Sequence, residues 1–152
     1  MTERDKAQRT LEENKVLVRR LFDVFAGRST DVEGATAELL APGFVHRFDT
    51  DHAFDRTRYL QAVGVFYRAF PDLEYRIEDI IAEHDRVVVR YHATGTHMAD
   101  FFGLPATGKS VTYGGVFIYR LADGLIQEDW EHWDGKGFHL QLGLLTAPER
   151  GG

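Results

Sequence analysis

The sequence predicts an α+β domain: a curved antiparallel sheet wrapped by about three N-terminal helices, cone-shaped around one central pocket. Three observations carry that expectation. Apolar residues recur with a period near 3.6 as far as Phe70 and with a period of two beyond it. The later segments are long alternating runs, and Ala122-Asp123-Gly124 marks a tight hairpin between the last two. Helices first and a meander of strands afterwards is the order of an α+β fold.

Thr10 with Glu13 fits a capping box, and residues 11–25 read as a helix with Leu17, Leu21 and Val24 on one face and Gly27 as its stop. Residues 1–10 are polar and expected to fray, 11–146 to form the single domain, and 147–152 to be a flexible C-terminus. A short second helix is expected over 32–40, ending before Pro42. Residues 44–48 read as a strand with Phe44, His46 and Phe48 on one side. A third helix over 57–70, capped by Asp55 or Thr57, carries Leu60, Val63 and Phe66 on one stripe and closes at Pro71. Leu73, Tyr75 and Ile77 then alternate with Glu74, Arg76 and Glu78, and strands follow over 86–97, 109–121 and 125–133. Strands this long must twist and coil. Helices laid on the concave side leave a blind conical cavity, a natural binding site.

Composition narrows the function. A chain of 152 residues is the size of one domain, and 43% hydrophobic with 28% charged residues is an ordinary globular balance. A net charge of −6 with no Lys/Arg run argues against a nucleic-acid partner. No apolar stretch approaches the ~18–20 residues of a membrane helix. The first ten residues lack a secretory apolar core, so a cytoplasmic location is expected. Zero cysteines remove disulfides, thiolate nucleophiles and thiolate metal sites. His46, His52, His84, His92, His97, His132 and His139 are scattered, with no HExxH, so no metal is expected. Phosphate loops, a GxSxG elbow and nucleotide fingerprints are missing.

The segments ENKVLVRRLFDVF, LLAPGFV, FYRAFPDL, IEDIIAEHDRVVVRYHATGTH, FFGLPATGKSVTY and IYRLADGLIQEDWEHWD, in that order, resemble the SnoaL-like polyketide cyclases over roughly residues 13–145, with TGTHMADFFGLPATGK the most specific piece. The resemblance implies the nuclear-transport-factor-like α+β cone, shared with isomerases, dehydratases, hydrolases and binding proteins. It implies no cofactor, a small-molecule substrate, and a homodimer through the outer sheet face. It further implies ring closure by intramolecular aldol condensation, with a general acid/base carboxylate at Glu131. The cyclases' pocket Asn corresponds to His46 here and a pocket His to Phe117, two departures from the cyclase pattern.

The expected chemistry centres on Glu131, flanked by Trp130 and Trp133, where an apolar wall would raise its pKa and let it take and return a proton. Asp129 shares its strand face at spacing two unless a β-bulge intervenes. His46 is placed to donate to a carbonyl or act as base, and Tyr113 to hydrogen-bond an enolate oxygen. Phe66, Phe70, Phe101, Phe102, Phe117 and Trp130 are candidate pocket walls, while His92 falls on the opposite sheet face and His97 in a turn-stabilising position. The leading expectation is a cofactor-independent acid/base cyclase or isomerase, of lyase or isomerase class, acting on a hydrophobic oxygenated small molecule. Its rivals are a non-catalytic binding module and an epoxide-hydrolase-like water activator. The last is the weaker, because the single Asn, Asn14, sits on the first helix.

Overall fold

The computed structural model describes residues 1–144. Helix α1, Glu3–Asp23, starts earlier than the capping box at Thr10 suggests, so most of the stretch expected to fray is helical. Thr2 caps it instead, its hydroxyl accepting from the Asp5 N–H while the Asp5 carboxylate accepts from the Thr2 N–H. Pairs at helical spacing, Lys6–Glu3 and Arg9–Glu13, then support the exposed extra turns. A π-helical turn, Val24–Arg28, follows and contains Gly27 at φ 77°, and the short α2 spans Val32–Ala37. Strand β1, Leu40–Arg47, takes in Pro42, ahead of the expected strand start. An unforeseen edge strand β2, Ala53–Asp55, leads into α3, Arg56–Ala69, where the Asp55 side chain accepts from Arg58 N–H as its cap.

Strands β3, Glu74–Glu83, β4, Arg86–Thr96, β5, Ser110–Ala122, and β6, Leu125–Trp133, complete one sheet in the order β2-β1-β6-β5-β4-β3. Four of its five pairings are antiparallel, but β1 runs parallel to β6, so the sheet is mixed, curved and open rather than purely antiparallel. The β5–β6 turn is Asp123-Gly124 with both φ positive, the geometry a two-residue hairpin requires. A fourth helix α4, Gly135–Leu142, adds a C-terminal element that the expected three N-terminal helices did not include. Asp134 caps it through the Gly137 N–H. The C-terminal residues 147–152 lie outside the described part of the chain.

The core sits between the concave sheet face and the helices. Val18, Leu21 and Phe22 of α1 meet Val87, Val89 and Tyr91 of β4 and Phe117 and Tyr119 of β5. The alternation in β4 and β5 is strict, odd positions inward, so His92 lies on the outer face as expected. In β6 the parity changes. Leu121 faces Ile126 and Arg120 faces Glu128, which leaves Gln127 without a partner as a β-bulge. Ile126 points inward before the bulge; Asp129 and Glu131 point inward after it. The bulge therefore aims both carboxylates at the concave face.

Candidate active site

A largely apolar cavity of about 640 Å³ opens on the concave face. That volume suits a drug-sized or polycyclic molecule. Of the candidate wall residues, Phe66, Phe101, Phe102 and Phe117 line it, together with Val63, Leu73 and Leu104. Two expected wall residues do not. Phe70 is fully buried in the core, stacked on His97. Trp130 points outward, where the guanidinium groups of Arg47 and Arg86 lie 5.3 and 5.0 Å from its ring centre. The reason is pleat parity: once Glu131 faces in, its neighbour Trp130 must face out. The inward tryptophan is Trp133, two positions on.

Three polar side chains meet at one wall. The β1/β6 ladder pairs His46 with Asp129, and their side chains emerge on the same face; His46 Nδ1 lies 2.6 Å from Asp129 Oδ1. Asp129 is completely buried and His46 only 5% exposed. Asp129 thus sits behind the imidazole rather than in the cavity wall. His46 Nε2 turns to the cavity, 3.8 Å from Glu131 Oε1, too far for a hydrogen bond between them. The ring of Tyr59 covers the imidazole at 4.6 Å.

Glu131 keeps 14% of its side-chain surface, facing the cavity. Its second oxygen accepts from the Tyr91 hydroxyl at 2.7 Å. Tyr91 belongs to β4 and Glu131 to β6, so that phenol must cross β5. It does so over Gly115, its cross-strand partner, whose other partner is Trp133. A Cβ at Gly115 would stand 2.6 Å from the Tyr91 oxygen. Mid-strand glycine marks such a close approach, and it is the available sequence signal for Tyr91, which the candidate site residues did not include.

Electrostatics follow from burial. Burial pushes the Glu131 carboxyl up to about 7, against the downward pull of the nearby imidazole and the Tyr91 hydroxyl. Burial also raises Asp129, opposed by the His46 charge and hydrogen bond. For His46, burial disfavours the imidazolium, but the Asp129 carboxylate and, less strongly, Glu131 outweigh it and raise its pKa above the usual value. An ionised Asp129 accepts from His46 Nδ1–H, which leaves Nε2 facing the cavity. The wall thus holds an imidazole oriented by one carboxylate beside a second carboxyl that exchanges its proton near neutrality.

Tyr113 also lines the cavity, its hydroxyl 2.7 Å from that of Tyr75. His97 is buried in the scaffold, its Nδ1 accepting from the Thr107 N–H at 3.2 Å. No group of three or more His, Cys, Asp or Glu residues suited to a metal occurs among the described residues, and no helix there is long and apolar enough to cross a membrane.

A family profile described as SnoaL-like polyketide cyclase matches residues 15–142. The aklanonic acid methyl ester cyclase DnrD of Streptomyces peucetius is 28% identical over 137 residues, spanning 84% of this chain and 88% of that protein. Its namesake DauD from Streptomyces sp. (strain C5) is 27% identical over 136 residues, spanning 84% and 80%. Among solved structures, AclR from Streptomyces galilaeus, whose suggested activity is hydroxylation, superposes with a TM-score of 0.81 at 26% identity over 92% of this chain and 87% of its own. A suggested SnoaL-like polyketide cyclase from Jannaschia Sp. CCS1 gives 0.79 at 28% identity over 88% and 94%.

Proposed function

The chain belongs to the SnoaL-like polyketide cyclase family, and from that premise we propose that its cavity closes a ring in a hydrophobic, oxygenated substrate by acid/base chemistry of its own side chains. The observation that carries this reading is the pairing of Glu131, raised to about 7, with an Asp129-anchored His46 across 3.8 Å of cavity wall.

In an intramolecular aldol reaction a base removes a proton from the carbon beside a carbonyl, the enolate carbon adds to a second carbonyl, and the new alkoxide takes a proton. Ionised Glu131 is the base. Its raised pKa makes it a stronger base than an ordinary carboxylate and keeps it partly ionised at neutral pH. The His46 imidazolium, stabilised by Asp129, hydrogen-bonds through Nε2–H to the developing oxyanion while keeping its proton, and Glu131 returns the abstracted proton to the new alkoxide. The apolar lining keeps bulk water from competing for the enolate. Tyr91 holds Glu131 in one orientation.

The test is a panel of polycyclic ketones bearing an activated methylene, with aklanonic acid methyl ester as its first member because two relatives are named for it. Ring closure leaves the mass unchanged and is followed by chromatographic retention and by deuterium uptake from heavy water. Acceleration over buffer that disappears in Glu131→Gln and falls in His46→Phe is expected. Turnover surviving undiminished in Glu131→Gln would remove the role given to that residue.

A further inference from the structure

We infer that Tyr75 and Tyr113 form a second oxygen-binding station, a phenol relay that ends on an oxygen of the bound molecule. The placement repeats the logic of the Tyr91–Glu131 contact. Tyr75 on β3 pairs with Ala93 on β4, and Ala93 pairs in turn with Tyr113 on β5. The small Ala93 side chain lets the two phenols meet across the intervening strand, oxygen to oxygen at 2.7 Å. Both residues line the cavity.

The hydrogen-bond count is then incomplete. Two phenols bring two O–H donors, and one is spent on the bond between them. Neither hydroxyl has another partner among the described residues. Tyr91, whose ring lies 4.9 Å from that of Tyr75, already donates its hydroxyl hydrogen bond to Glu131. Whichever phenol donates first, one O–H faces an apolar cavity with no protein acceptor. A ligand oxygen entering the cavity can accept that hydrogen. The relay also has a direction. Burial raises the Tyr113 hydroxyl's pKa; when Tyr75 donates to Tyr113 it opposes that rise and polarises the remaining O–H as a donor. In the proposed relay Tyr113 is the terminal donor and Tyr75 the positioning residue behind it. The ligand class is a ketone, quinone or enolate whose oxygen reaches this station while a reacting carbon lies at Glu131.

The inference rests on the small-molecule cavity of the proposed function but not on proton transfer, so binding alone tests it. The probes are α-tetralone and tetralin, bicyclic molecules of nearly equal shape that differ in one carbonyl. Binding is read from Trp133, which lines the cavity, and hydrogen bonding from the infrared carbonyl stretch of bound α-tetralone. The wild-type protein should prefer the ketone by about fivefold to tenfold, the size expected of one net hydrogen bond. The carbonyl stretch should lie below its value in alkane. Tyr113→Phe should abolish the preference and restore the alkane frequency. Tyr75→Phe should leave a smaller preference and an intermediate frequency. If Tyr113→Phe fails to fold, the intermediate frequency in Tyr75→Phe decides. Equal affinities for the two probes, no binding of either, or wild-type preference and frequency in both Phe variants would overturn the assignment.

Discussion

Replacing Glu131 with Gln keeps the shape of the side chain and removes its charge, so the pH dependence of stability isolates what burial does to the carboxylate. The carboxyl moves from an ordinary 4.5 to about 7 in the folded protein. At about 1.4 kcal/mol for each tenfold change in proton affinity, that corresponds to about 3 kcal/mol. The sign follows from proton counting. Between the two values the folded state holds a proton that the unfolded state has released. Stability from this group is therefore complete at acid pH and falls as pH rises from about 4.5 through 7. The substituted amide has no proton to lose. The stability of the variant relative to wild type should climb by about 3 kcal/mol between pH 4 and pH 8, read from urea unfolding at closely spaced pH values. Loss of the Glu131 charge also weakens the upward pull on His46, so the variant loses less stability than wild type as the imidazolium titrates, which adds slightly to the gain. A relative stability that stays flat across this range, or moves the other way, would mean that the Glu131 carboxylate is solvated and the proposed base has no apolar wall around it.

Three further perturbations follow from the same geometry. Asp129→Asn removes the main groups holding the His46 imidazolium, so its titration, followed by NMR of the imidazole carbon-bound proton, should move down from its raised position, with turnover falling alongside. Tyr91→Phe deletes the hydroxyl that stabilises ionised Glu131; the acid limb of the rate profile, set near 7 by Glu131, should shift upward, at a stability cost of about 1–3 kcal/mol. Gly115→Ala puts a methyl 2.6 Å from the Tyr91 oxygen and 2.7 Å from the His132 carbonyl oxygen. Overpacking of that kind costs about 1–3 kcal/mol in thermal or chemical unfolding, and displacing the phenol should also reproduce the upward pH shift of Tyr91→Phe.

The elements that local chemistry controls were legible in the sequence. The span of β6 agrees with the expected 125–133, and the Asp123-Gly124 turn needs nothing beyond two residues tolerant of positive φ. Asp55 caps α3 as its side chain suggests. Where two local signals compete, context decides. Thr2/Asp5 and Thr10/Glu13 both have capping-box spacing, and the upstream pair wins because the intervening residues add helical ion pairs without meeting a helix breaker. Helix α4 was hidden by Gly135 and Gly137, which lower helix propensity; its stability comes from burying Phe138 and Leu142 against the core.

The candidate site was legible as residue types but not as an arrangement, and the difference lies in two non-local facts. The first is the partner of β1. Nothing near His46 encodes that its strand runs parallel to β6, eighty-three positions away, yet that pairing turns an isolated histidine and a buried aspartate into an oriented dyad. The second is the bulge at Gln127. Without it the inward parity set by Ile126 would continue through Glu128, Trp130 and His132, and the cavity would meet a tryptophan where it now meets Glu131. One unpaired residue therefore decides which half of the run EDWEHW faces inward. The other half has a different use: Glu128 bonds Arg47 and Arg120 on the outer side, and Trp130 lies between Arg47 and Arg86. Small residues complete the pattern, since Gly115 and Ala93 each let a phenol cross one strand toward a polar partner. The positions that shape this cavity chemically thus include two that carry no functional group at all.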